Sequence, residues 1–131
     1  MIIVDTSVLI DYLAGRDGLA TNWLEKNLAA IACGLTDLIL YEVLRGIRHD
    51  TDASVVQEKL QAFQLWPTMT PGLELTAAEN YRSLRKLGIT IGKTVDCLVA
   101  SFCIEHGHEL LHNDRDFEAF EKHLGLQVVH P

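Results

Sequence analysis

A chain of 131 residues, 48% of them hydrophobic, has the length of one domain and enough apolar side chains for a core, so residues 1–131 are expected to fold as a single unit. No apolar run approaches the length of a membrane span and the first residues read directly as a strand, which predicts a cytoplasmic protein with neither leader nor anchor. Eighteen acidic residues against eleven basic ones, a net charge of -7, exclude the broad basic footprint of many nucleic-acid binders and leave any such role to local charge.

Ile2-Ile3-Val4 is a short apolar run ending at Asp5, the pattern of a buried strand with a carboxylate at its C-terminal end. A helix over residues 7–14 follows, capped by Thr6, and a turn over 15–18 leads to a helix over 20–32 with Trp23, Leu24, Leu28 and Ile31 at helical spacing. Residues 33–35 form a short strand before an amphipathic stretch over 37–47, where Glu42 sits among Leu38, Ile39, Val43 and Leu44. A helix over 51–63 carries Val55, Val56, Leu60 and Phe63, Leu65-Trp66 is a strand, and Thr70-Pro71-Gly72 breaks the chain in its middle. Residues 75–87 are helical, and residues 88–94, with two glycines, read as a mobile loop.

Asp96 falls in the first turn of the apolar helix that begins Val95-Asp96-Cys97-Leu98, where the helix dipole favours an anion. Leu110-Leu111-His112 is a second buried strand, ending just before Asp114. Asp116 opens a helix over 117–124, and residues 126–129 close the sheet. This alternation predicts an α/β fold with a central parallel sheet and helices on both faces. In such sheets the ligand crevice lies at the strand C-termini, where Asp5 and Asp114 would stand.

Any one acid at a helix start or strand end is ordinarily a cap or a solvated turn residue. A convergence of several is different. Two unit charges about 5 Å apart at an effective dielectric near 20 repel by roughly 3 kcal/mol, so several close pairs approach the whole stability of a small domain. Protonation or a divalent cation must neutralise them, and Mg2+ or Mn2+ suits carboxylate oxygens. Cys33, Cys97 and Cys103 lack metal-ligand spacing and sit in apolar surroundings, as buried reduced thiols do. His106, His108 and His112 have no companions at zinc-binding spacing and are read as surface residues, with His112 expected to flank the acidic crevice.

Four stretches carry a family resemblance: Asp5-Thr6-Ser7-Val8-Leu9-Ile10-Asp11, Glu42-Val43-Leu44-Arg45-Gly46, Val95-Asp96-Cys97-Leu98-Val99-Ala100 and Asn113-Asp114-Arg115-Asp116-Phe117. In order and spacing they resemble the blocks of PIN-domain ribonucleases, most closely VapC-type toxins of bacterial toxin-antitoxin pairs, along the whole chain. The resemblance implies an acidic quartet of Asp5, Glu42, Asp96 and Asp114, with Asp116 as an accessory acid and Thr6 and Asn113 in support. It departs from the pattern at His112, where many members carry Thr. A metal held by Asp5, Asp96 and Asp114 would orient a water for hydrolysis of an RNA phosphodiester, leaving a 5′-phosphate and a 3′-hydroxyl. Glu42 would position or deprotonate that water, or bind a second ion. The resemblance further implies an RNA substrate, commonly tRNA or another structured RNA, a cognate VapB-type antitoxin and a homodimer.

Candidate RNA contacts are Arg82, Arg85, Lys86, Lys93 and Arg115, although Arg82-Ser83-Leu84-Arg85-Lys86 reads equally as a solvated helix face. Arg45 is likewise available to phosphates, or reads as the local partner of Glu42 in an i to i+3 ion pair. Trp23, Trp66, Leu38 and Tyr41 form an apolar surplus that need not all face the sheet, which predicts pairing of two copies. An antitoxin tail bearing Arg or Lys would pair with Glu42 or Asp96. Two alternatives remain: a receiver-like Mg2+-binding signalling module, which needs a phosphoacceptor Asp after a central strand, and a catalytically silent PIN-like RNA-binding domain.

Overall fold

The computed structural model describes residues 1–131. Five strands, β1 (Ile2–Val4), β2 (Cys33–Thr36), β3 (Gln64–Trp66), β4 (Glu109–Leu111) and β5 (Gln127–Val128), form one sheet in the order β3-β2-β1-β4-β5. Every pairing is parallel. The central strand β1 is wholly buried, because a parallel sheet covered on both faces needs apolar side chains on both.

Seven helices make the crossovers: α1 (Thr6–Leu13), α2 (Leu19–Asn27), α3 (Asp37–Arg45), α4 (Asp50–Lys59), α5 (Leu73–Lys86), α6 (Thr94–His106) and α7 (Glu118–Leu124). From β1 the chain steps outward through β2 to β3, then crosses back to β4 on the far side of β1. Right-handed crossovers in opposite directions put helices on opposite faces. The contacts agree: α1 touches α2 and α3, α3 touches α4, and α5 packs on α6 and α7. The same reversal creates a topological switch point between β1 and β4, the place where an open α/β sheet holds its ligand. A receiver-type order of 2-1-3-4-5 is not what this chain adopts.

Several boundaries move for identifiable reasons. Asp5, not Thr6, is the N-cap of α1, its carboxylate accepting the Ser7 N–H at 3.0 Å. Helix α2 stops at Asn27, whose carbonyl accepts both the Ala30 and Ile31 N–H groups in a turn. The helix expected over 51–63 ends at Lys59 and tightens into a 3-10 turn, Leu60–Ala62, which seats Leu60 and Phe63 in the core before β3. Likewise a 3-10 turn, Arg115–Phe117, precedes α7, and Asp116 lies inside it. Trp66 stands on β3, as the strand reading of Leu65-Trp66 expects, and both it and Trp23 pack against the core rather than forming a free apolar surface. Leu38 and Tyr41 lie outside the core, Tyr41 with 58% of its surface exposed.

All three cysteines are free and buried, as their apolar surroundings predict. Gly34 on β2 is forced by crowding, since a Cβ there would lie 2.9 Å from the Gln64 carbonyl oxygen and 2.8 Å from Met1 Sδ. Gly34→Ala is therefore expected to push β3 off β2 and cost about 2 kcal/mol in a denaturant titration. Unchanged stability would contradict this packing.

Candidate active site

The ends of β1 and β4 bring their loops side by side, and Ser7 ties them together. Its hydroxyl donates to Asp5 Oδ2 at 2.7 Å and accepts the Asn113 N–H at 3.0 Å. Asn113 thus contributes its backbone, while its side chain is exposed. Ser7 escaped the sequence reading, although a hydroxyl two residues after a strand-end Asp is the pattern of a local side-chain bond.

Above this junction lies an open cleft of about 610 Å3 lined by Asp5, Glu42, Lys93, Asp96 and Asp114 among others. Four of the five predicted acids therefore share one surface. The tightest group includes the fifth: Asp96, Asp114 and Asp116 each offer an oxygen within 4.8 Å of the others. Asp5 lines the same cleft but stands outside that trio, its carboxylate engaged by Ser7. Thr6, which does not cap α1, donates its hydroxyl to Glu42 Oε1 at 2.8 Å. This bond joins α1 to α3 and aims Glu42 into the cleft. The alternative of a Glu42–Arg45 ion pair does not form; the Arg45 guanidinium lies 5.4 Å from the centre of the Tyr41 ring.

Electrostatics single out Asp96. It is 4% exposed, and its Oδ2 is buried without a hydrogen-bond partner. Burial, then the Asp5 and Asp114 charges, push its carboxyl up to about 7, with Lys93 opposing. Burial also raises Asp5, against the Ser7 bonds that lower it. Asp114 goes the other way: burial would raise it, but the Lys93 ammonium, 2.7 Å away, and the Asp116 N–H at 3.0 Å together hold it below the usual carboxylate range. One cleft therefore contains a carboxyl poised near neutrality beside one that stays ionised.

His112 sits behind this group rather than facing the cleft. Its Nδ1 accepts the Asp114 N–H at 3.1 Å, its ring packs on Phe117, and burial lowers its pKa. An accepting Nδ1 places the proton on Nε2, which is buried without a partner. His106 and His108 pack with Phe102 at the opposite end of β4 and take no part in the cleft. Of the predicted RNA contacts only Lys93 lines the cleft; Arg82, Arg85, Lys86 and Arg115 are exposed elsewhere. Arg45 lines it too.

An orphaned buried carboxylate oxygen beside two further carboxylates fits a cation, because burying such a charge unpaired is costly. The tight trio is all oxygen, with no sulfur or imidazole, which suits a hard ion rather than zinc.

A family model described as the PIN domain matches residues 2–123. The VapC ribonuclease Mb1587 of Mycobacterium bovis and ribonuclease VapC11 of Mycobacterium tuberculosis are each 26% identical to the chain over 134 residues, covering 98% of both partners. Among solved structures, VapBC2 from Rickettsia felis bound to a promoter DNA fragment superposes with a TM-score of 0.80 at 18% identity, over 98% of each chain. The Sarcin-Ricin loop cleaving toxin VapC20 of Mycobacterium tuberculosis gives 0.68 at 20% identity, covering 100% of both. At these identities the solved structures share the fold.

Proposed function

The chain belongs to the PIN-domain family, and from that membership and its acidic cleft we propose that it is a divalent-metal-dependent endoribonuclease, the toxin of a VapBC-type pair. The observation that carries the reading is the partnerless Asp96 carboxylate among converging acids at the sheet's switch point. Mg2+, with Mn2+ as the alternative, is the ion proposed, held by Asp96 and Asp114 with Asp5 and Asp116 completing the acidic surround. When bound, such an ion supplies Lewis acidity and an acidified water for attack on phosphorus.

The chain's own residues do the rest. Glu42, oriented by Thr6, accepts the proton of the attacking water. The P–O3′ bond breaks as the water oxygen bonds to phosphorus, and the departing 3′-oxygen takes a proton from solvent in the open cleft, giving a 5′-phosphate and a 3′-hydroxyl. Arg45 and Lys93 at the cleft receive backbone phosphates, giving a local basic rim in a chain of net charge -7. The substrate proposed, as the family resemblance implies, is tRNA or another structured RNA.

Toxin-antitoxin pairing is supported by the VapC and VapBC relatives and by an apolar groove beside the cleft. Leu13, Val43, Ile47 and Val56 line that groove, which meets the acidic surface at Ile10, Glu42 and Gly46. A VapB-type antitoxin would lay an apolar segment there and extend a basic side chain to Glu42 or Asp96. Pairing of two copies is part of the proposal, with exposed Tyr41 and half-buried Leu38 offered as contacts. No helix is long and apolar enough to cross a membrane, which accords with a cytoplasmic toxin.

Incubating the purified chain with tRNA and with total RNA tests the reading. Mg2+ or Mn2+ should give discrete fragments bearing 5′-phosphates, and excess EDTA should abolish them. RNA left intact across a range of both ions would overturn it.

A further inference from the structure

Among the three ion pairs of the chain, one lies inside the cleft: Lys93 Nζ stands 2.7 Å from Asp114 Oδ2. Its partner is one of the three acids whose oxygens gather within 4.8 Å of each other. An ammonium at that distance occupies space and charge that an incoming divalent cation needs. We propose that Lys93 is an internal counter-ion that holds the cation position while the protein is metal-free, and that metal binding displaces it toward the RNA backbone. The proposal rests on the metal-site reading above.

The placement supports both halves of the exchange. Lys93 is the N-cap residue of α6, makes no capping bond with its side chain, and ends a stretch without regular structure that begins after α5. That stretch contains Gly88 at φ +81, a conformation suited to glycine, and Gly92, where a Cβ would find nothing within 4 Å. The lysine side chain is 63% exposed while that of Asp114 is 18% exposed, so the ammonium reaches in from the solvent rim. With its cationic end at the solvent rim, such a pair is readily exchanged. Its long stem lets the charge swing outward without moving the backbone.

Charge decides which cation wins. The ammonium leaves Asp96 Oδ2 without a partner, so the metal-free cleft is only partly neutralised. A divalent ion satisfies Asp96 as well as Asp114 and repels the ammonium. Lysine suits an exchangeable counter-ion, being a compact, hydrated point charge on a flexible stem, whereas arginine's rigid fork favours a fixed bidentate contact. Once released at the rim, it stands beside the site where a scissile phosphate must lie, so metal and RNA binding would favour one another.

Calorimetric titration with Mg2+ at about pH 8.5, where Asp96 is ionised, separates the possibilities when wild type, Lys93→Met and Lys93→Arg are compared. Lys93→Met should bind Mg2+ roughly tenfold more tightly than wild type, the competing charge being gone, and Lys93→Arg should stay close to wild type. Melts in EDTA should show Lys93→Met less stable than wild type, with a larger gain on adding Mg2+. A purely structural lysine would change the melts and leave affinity untouched. Equal or weaker Mg2+ binding by Lys93→Met, with normal binding by wild type, overturns the proposal and leaves the metal site standing. Absence of Mg2+ binding in all three chains overturns the metal site, and the proposal with it.

Discussion

Asp96→Asn should reduce RNA cleavage by on the order of 1000-fold or more, while making the metal-free protein more stable. The two effects have one cause. The Asp96 carboxyl is buried, one oxygen has no partner, and burial together with Asp5 and Asp114 pushes it up to about 7. Above that pH the fold must hold an unpaired charge it would rather neutralise. An amide is nearly the same size, carries no charge, and can donate to the neighbouring carboxylates. Relief of on the order of 2 kcal/mol is expected at about pH 8, which for a chain of this size raises Tm by about 6 °C. Mg2+ should reverse the ranking by stabilising wild type and not the variant. Thermal melts with EDTA and with Mg2+, run alongside an RNA cleavage assay, make the comparison. A variant that melts below wild type in EDTA would show that Asp96 is not the strained member of the cluster.

The pH dependence of metal-free stability gives the second large effect. Asp96 binds its proton more tightly in the folded chain than in the unfolded one, where its value is near the ordinary 3.8. Stability from this group is therefore full below about pH 4, declines as pH rises toward about 7, and is flat beyond. Asp5, also raised by burial, adds to the same trend. Asp114, held low despite its burial by Lys93 and the Asp116 N–H, behaves oppositely: its contribution is present above the ordinary carboxylate value and is lost as acid protonates the folded group. His108 and His112, kept neutral by burial, work against Asp96 in the upper part of the window, since their protonation below about pH 6.5 favours unfolding. Comparing wild type with Asp96→Asn isolates the carboxyl. The difference should grow by on the order of 3 kcal/mol between pH 4 and pH 8 in EDTA. In saturating Mg2+ the wild-type decline should vanish, because the ion binds the deprotonated carboxylates. Denaturant titrations across this range that run parallel for the two chains would refute the assignment.

Local chemistry explains what could be read before folding. Ile2-Ile3-Val4 and Leu110-Leu111 are apolar on both faces, which marks buried parallel strands, and each leads within three residues to an acid, Asp5 or Asp114. Asp96 in the first turn of a helix as apolar as Val95–Cys103 is equally local information, since three turns of buried side chains need no knowledge of the partner. Strand, helix and loop follow from periods of two and 3.6 residues and from turn residues, all of which act over a few positions.

Partner choice does not. Asp37, one more acid at a helix start, serves as a clamp on Thr68, 31 residues away, through Oδ1. Glu42, which helical spacing does not distinguish and only the family-like block singles out, comes to line the cleft because Thr6 meets it across 36 residues. Lys93 reads as a surface cation until the turn onto α6 sets it against Asp114. Whether Asp5 or Asp116 joins Asp96 and Asp114 most closely depends on Ser7 capturing Asp5 and on a 3-10 turn reorienting Asp116. The sequence by itself thus determined the order of strands and helices, because backbone periodicity and chain direction are local properties, and its four family-like blocks named the set of acids able to converge. Only the tertiary structure decided which acids touch, which one is left unpaired and which cation answers them, because those outcomes depend on distances of a few ångströms between segments that meet solely through the sheet's reversal at β1 and β4.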